Sequence, residues 1–352
     1  TEVTSTVVRD TLSEEATATF GQGIRAQCFT DEVCGSLRVS SSLLSGNRDL
    51  GLHVFGVVAE ITTTVVRDTQ SDESEEEYGR GINAQCYAVG ACGSLRVSSS
   101  LVSGNRDLGI YAGGVDTEIT TTVVRDTLPA TSTGESGRGI NVQCSSNTGV
   151  CGSLSVSSSL VMNSENVGIY VSGVTATLEG VVVTDTQTNA QGEFQGKSGH
   201  GIAAVCSTLT GDCGDLSMTG CLVDSSHTTG VTREGGSGFI ASSVVRSVRA
   251  QPLDDKYGYG LQIGGLEGQE LPTFDVSNCE IRDAKLAGIL FYAAQGTLSG
   301  SVVSGGENSV IMNEGSQPTI LNNNDLSGTV TSEPTWANLF PSPAPAPALP
   351  KD

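Results

Sequence analysis

Ten cysteines carry the most definite chemistry in this 352-residue sequence. Eight fall into four close pairs: Cys28/Cys34, Cys86/Cys92, Cys144/Cys151 and Cys206/Cys213. Two thiols at such spacing can close a disulfide or hold a metal. Five or six intervening residues, with no histidine recurring beside them, do not match a zinc site. Recurring close pairs in a Ser/Thr-rich chain read instead as disulfides, and hence as an oxidising compartment. They would pinch off local loops, each gaining roughly 2 kcal/mol.

Other residue patterns could do chemistry and are better explained as structure. "GQGI" (21–24), "GRGI" (79–82), "GRGI" (137–140) and "GHGI" (199–202) resemble a phosphate loop, but they recur after polar segments rather than between a strand and a helix. Corners that need positive φ explain them better. Arg9-Asp10, Arg67-Asp68, Arg125-Asp126 and Arg282-Asp283 place a carboxylate beside a guanidinium. A catalytic site is one constellation and not a ladder, so Asx corners and stacked hydrogen bonds account for them. His53, His200 and His227 pair with no nucleophile or ligand set. The least repetitive stretch is 246–295, holding Asp254, Asp255, Lys256, Tyr257, Tyr259, Arg282, Asp283 and Lys285. A carbohydrate site would fall there. No catalytic, cofactor-binding or metal-binding residue is assigned, and no cofactor is expected.

The elements that position these residues come from a repeat. "VTSTVVRDT" (3–11) returns as "ITTTVVRDT" at 61–69 and 119–127. A second family reads "VSSSLLSGNRDLGL" (39–52), "VSSSLVSGNRDLGI" (97–110) and "VSSSLVMNSENVGI" (156–169). Aligned, they give one column: Thr6, Ser42, Thr64, Ser100, Thr122, Ser159, Val181, Cys221, Ser243, Cys279, Ser301, Asn324. Its successive differences are 36, 22, 36, 22, 37, 22, 40, 22, 36, 22 and 23 residues. Twenty-two residues make one turn of a three-sided coil of short parallel strands. The fold expected is all-β, a right-handed parallel β-helix of about twelve rungs in alternating short and long pairs, spanning 1–330. At roughly 4.8 Å per rung the rod is roughly 50 Å long. The extra residues of the long rungs precede the Gly-x-Gly-Ile turn or lie between paired cysteines, so they bulge on the same sides at every second level. Cys221 and Cys279 share the aligned column two rungs apart, roughly 9–10 Å, beyond the ~7 Å limit for a disulfide. Both are expected to be free thiols.

Surface columns follow the same register. Glu2, Arg38, Glu60, Arg96 and Glu118 alternate in sign, placing each arginine between two glutamates. Such pairs fix register more than they add stability. Composition excludes several functions. Only 37% of residues are hydrophobic, 45 are glycine and the net charge is −21, so short strands with glycine corners fit and a basic nucleic-acid-binding stripe is absent. No apolar run reaches the roughly 20 residues of a membrane helix.

Three motifs, "TTTVVRDT" (120–127), "GRGINVQC" (137–144) and "GSLSVSSSLV" (152–161), resemble the pectate-lyase-like superfamily of right-handed parallel β-helices. More narrowly, the chain resembles secreted or lipid-anchored repeat proteins of myxobacteria. The likeness spans about residues 1–330 and implies the fold. Pectate lyases use an acidic calcium cluster with an arginine base, and polygalacturonases use clustered aspartates. Neither set falls on matching positions here.

The resulting expectation is an extracellular or cell-surface structural protein that is not an enzyme. Its partners would be copies of itself, stacked head to tail into fibres, or a cell-surface polysaccharide. The Pro/Ala-rich tail, 331–352, offers Trp336, Leu339 and Phe340 as assembly contacts. The alternative is a polysaccharide-binding or polysaccharide-cleaving β-helix enzyme.

Overall fold

Each strand is too short to close a core alone. In Ser36–Ser40, Leu37 and Val39 are buried while Ser36 and Arg38 face out. Stacking such strands turns a two-residue apolar stripe into a continuous interior. The computed structural model describes residues 1–12, 21–30, 35–72, 78–132, 134, 136–189, 195–266 and 270–333. It shows three sheets of 12 parallel strands, with every third strand along the chain joining the same sheet. Sheet A opens with Glu2–Thr4 and Ser36–Ser40, sheet B with Val7–Arg9 and Leu43–Ser45, sheet C with Ile24–Gln27 and Leu50–Phe55. The molecule is a right-handed parallel β-helix of twelve rungs, and its crossovers take the hand that twisted strands favour. The last strand, Thr329–Glu333, runs past the boundary expected at residue 330. Cys34, Trp336, Leu339 and Phe340 lie outside the described residues.

The aligned column is the corner between sheets A and B. The residue before it takes positive φ, as at Ser41 (48°), Ser99 (48°) and Asn278 (52°). Each column residue then caps the corner below. Ser42 Oγ accepts from Thr6 N, Ser100 Oγ from Thr64 N and Ser159 Oγ from Thr122 N, each at 3.1 Å. Cys221 and Cys279 are free and buried in this column. Their nitrogens donate to Ser243 and Ser301, and their thiols point to backbone carbonyls as the serine hydroxyls do. The thiol fills a serine's place.

The second glycine of the Gly-x-Gly motif answers to the core. A Cβ on Gly81 would stand 2.7 Å from the Gly109 carbonyl oxygen and 2.7 Å from the Asn105 amide, so no side chain fits. On sheet A the charged column is in register, but each arginine closes on the glutamate of the following rung: Arg38 on Glu60 at 2.8 Å, Arg96 on Glu118 at 3.1 Å. The Arg-Asp corners are also local, with Arg67–Asp68 and Arg125–Asp126 each at 3.6 Å and exposed.

Odd rungs, up to the ninth, carry both long connections. One enters sheet C and the other leaves it, bounded by paired cysteines in the first, third, fifth and seventh rungs. The long connections therefore rise on the two sides of sheet C and nowhere else.

Candidate functional site

Sheet C has six-residue strands buried on both faces, as in Arg80–Gln85. Ile82 and Ala84 join the core, so Asn83 between them belongs to the outer face, where the Arg80 guanidinium donates to its Oδ1 at 3.1 Å. In register along that face stand Arg25, His53, Asn83, Tyr111, Asn141, Tyr170, Ala203, Thr232 and Gln262. The walls on either side are self-supporting. Ser71 and Thr131 hydroxyls meet at 3.2 Å between entering connections two rungs apart. On the leaving side the bonds Cys86–Cys92, Cys144–Cys151 and Cys206–Cys213 close loops of six or seven residues. Thr148 rests on the Cys86 sulfur and Thr210 on the Cys144 sulfur, each at 3.7 Å. Cys28 is also disulfide-bonded. Cys144, Cys151 and Asp212 lie close enough to share a metal, but both sulfurs are spent in one disulfide and offer no thiolate.

Over the middle rungs this floor is closed: Asn83, Tyr111 and Asn141 are fully buried. At the first two rungs it opens. Arg25 is exposed, and Gln22 and His53 are half-buried. Gln22 Nε2 donates to Asp49 Oδ2 at 3.3 Å, and Gln22 Oε1 lies 3.4 Å from His53 Nδ1. Beside His53 is an aromatic ledge. Phe55 packs edge-on to Tyr87 at 5.3 Å, Phe29 to Tyr87 at 5.7 Å, and the His53 and Phe55 rings are 6.1 Å apart. Phe29 is 64% exposed, so the ledge presents an aromatic face to solvent.

Electrostatics set this end apart. Burial raises the Asp49 carboxyl from 3.8 to about 6, with the Asp72 charge adding to it against Gln22, Arg80 and Arg25. Burial lowers His53 to about 3, helped by the positive charges of Arg25 and Arg80, so its ring is neutral at physiological pH. One repeat later the slot of Gln22 holds Arg80, whose Nε donates to Asp107 Oδ2 at 2.8 Å between the rings of Tyr78 and Tyr111. Burial pulls the Arg80 guanidinium down and Asp107 more than restores it, leaving it above its ordinary value. A repeat further on, Arg138 lies over Tyr170 at 3.9 Å.

A second recess, a cleft of about 520 Å³, opens at the corner between sheets B and C over rungs eight to ten. His227, Arg249, Gln251, Asp255, Asp283 and Lys285 line it. His227 pairs with Arg249 across neighbouring rungs, and its Nδ1 lies 3.3 Å from the Ala250 carbonyl oxygen. Of the residues singled out in 246–295, this cleft gathers Asp255, Asp283 and Lys285. Asp254 instead pairs with Lys256 at 3.4 Å, Arg282 with Glu280 at 3.0 Å, and Tyr257 with Tyr259 edge-on. Asp255 and Asp283 face Arg249 and Lys285, and burial lowers the pKa of His227, so the cleft has no strong sign.

Asp49 and Gln22 were not singled out from the sequence, and His53 was set aside there as pairing with nothing. The signal was present: "GQGI" departs from "GRGI" at Gln22, and "DLGLHVFG" (49–56) departs from "DLGIYAGG" (107–114) at His53.

No family model matches the chain, and no curated protein does. Among solved structures, the chain is similar to the catalytic domain of a GH87 alpha-1,3-glucanase in complex with nigerose. The TM-score is 0.49 and the identity 10%, over 92% of this chain and 64% of that one. The chain thus spans less than two thirds of the glucanase chain's length. A pectate lyase is also similar, with a TM-score of 0.28 and 11% identity over 87% of this chain and 68% of that one. The expectation that the chain is not an enzyme is corrected here, because both of these structures are of enzymes. Likeness at this level concerns the course of the backbone and transfers no activity or substrate.

Proposed function

We propose that this β-helix binds a polysaccharide along the walled outer face of sheet C and cleaves it, from an extracellular or cell-surface position. The observation that carries the reading is the open end of that face, where an exposed aromatic ledge adjoins a hydrogen-bonded carboxyl. Sugar rings present apolar C–H faces that stack on aromatic side chains, and hydroxyls that need fixed polar partners. Phe29 and Tyr87 supply the first, and Arg25 the second. The disulfide-closed loops suit the oxidising surroundings in which such polymers occur.

The test is a panel of neutral and acidic polysaccharides, with binding read by affinity electrophoresis and cleavage by new chain ends. At least one polymer should be retarded and shortened. Phe29→Ala, at an exposed position, should keep the fold and weaken retardation about tenfold, the effect of losing roughly 1.4 kcal/mol of contact. A panel that is neither bound nor cleaved refutes the proposal.

A further inference from the structure

We infer that Asp49 is the proton-donating acid of this face, held in place by Gln22 and His53, a role that rests on the polysaccharide-cleaving reading above. The repeat supplies an internal control. In the second repeat, Arg80 clamps Asp107 at 2.8 Å in a buried ion pair. In the first repeat the clamp is replaced by Gln22, an uncharged amide that holds Asp49 at 3.3 Å without neutralising it. The same change of repeat puts His53 where Tyr111 stands, and the His53 Nε2 atom is buried with no partner among the described residues. The slot is therefore structural in one repeat and unlocked in the other. The unlocked slot of the first repeat lies where the floor of sheet C opens beside the aromatic ledge.

The groups facing Asp49 come from two rungs. Gln22 and Arg25 belong to the first, Asp72 to the entering connection of the third and Arg80 to its strand, while His53 of the second rung faces Gln22. Two positive charges and one negative charge surround it, yet burial outweighs them and holds the proton on at mildly acidic pH. A carboxyl that burial keeps protonated can serve as the general acid in glycoside cleavage.

In that step the Asp49 proton passes to the glycosidic oxygen. The carbon–oxygen bond breaks with its electron pair going to that oxygen, which leaves as a hydroxyl. Water forms the new bond to the anomeric carbon, and its released proton restores the Asp49 carboxyl. One water is consumed and no oxidant or metal is needed for the balance.

The experiment uses the full chain and three forms: wild type, Asp49→Asn, and Gln22→Arg, which installs the second repeat's own clamp. The Asp49 carboxyl is titrated by carbon-13 NMR, and cleavage of the best polymer of the panel is followed against pH. The wild-type carboxyl should titrate well above the ordinary aspartate range, and cleavage should fall as pH rises through the same region. Gln22→Arg should return the titration to or below the ordinary range. Both variants should cut cleavage by about 10²–10⁴-fold while still binding the polymer. Cleavage that persists in Asp49→Asn, or a wild-type carboxyl that titrates normally, overturns the inference. A wild type that cleaves nothing while Asp49 titrates high overturns the polysaccharide reading itself, and with it the acid's role.

Discussion

Replacing Asp49 by asparagine should make the protein more stable at neutral pH, and replacing Asp107 in the equivalent slot should make it less so. Asp49 is 9% exposed and its folded-state value is about 6 against an ordinary 3.8. The difference, 6 − 3.8, at about 1.4 kcal/mol per pH unit, sets the cost of keeping it ionised in the fold at about 3 kcal/mol. The sign follows from proton counting. Between pH 4 and 6 the folded chain holds this proton and the unfolded chain has lost it, so stability falls as pH rises across that window and is level above it. Asparagine cannot ionise, and it tolerates the positive φ of 63° found here. Urea midpoints at pH 4, 5, 6 and 7 should show Asp49→Asn gaining on wild type by about 1–3 kcal/mol at pH 7, with the gap closing by pH 4. Asp107→Asn strands a fully buried guanidinium and should cost about 3–5 kcal/mol at pH 7. An Asp49→Asn protein that is less stable at pH 7, or a gap that does not change with pH, would show that Asp49 is a clamped carboxylate like Asp107 and refute the reasoning.

Three further substitutions or measurements probe the frame. A Cβ on Gly173, at φ 71°, would lie 2.5 Å from the Cys144 sulfur and 2.6 Å from the Ser207 Cβ, so Gly173→Ala should lower stability by at least about 2 kcal/mol, seen as a depressed melting temperature. Ser243→Ala removes the acceptor of the buried Cys221 nitrogen and should cost about 1–3 kcal/mol by denaturant midpoint. A thiol reagent should modify Cys221 and Cys279 only once denaturant is added, since each is 3% exposed; prompt labelling of native protein would contradict the corner packing.

The fold was legible because a coil repeats its own steric demands. Val66, Val124 and Val161 recur where sheet B faces the core, and Ser42, Ser100 and Ser159 recur where a corner nitrogen needs an acceptor. Each identity is dictated locally, so spacing alone recovers the rung and the corner. The site was not legible for the opposite reason. Gln22, Asp49 and His53 belong to two successive rungs and lie up to 31 residues apart, so only the stacking brings them together. The irregular stretch 246–295 does contribute to a cleft, lined by His227, Arg249, Asp255, Asp283 and Lys285, but Asp255 and Asp283 offset Arg249 and Lys285. The informative irregularity was one of residue identity within a regular length.

That distinction follows from how a solenoid can acquire chemistry. Inserting residues into a connection changes a wall and leaves the floor untouched, because the next rung restores the register. Changing one side chain on the floor alters what the rungs above and below must satisfy. Where Arg80 faces Asp107 the demand is met by charge, and the pair only supports the stack. Where Gln22 faces Asp49 the demand is left partly open, and the unmet part is carried as a carboxyl that prefers its proton. A repeat can afford such a defect at one level because its neighbours contribute stability independently. Chemistry in such a coil is therefore expected at the level where an equivalent slot has lost the partner that a structural pair holds elsewhere. On the outer face of sheet C the Asp49 slot meets that criterion and is also open to solvent through Gln22 and Arg25, whereas the Asp107 slot is sealed.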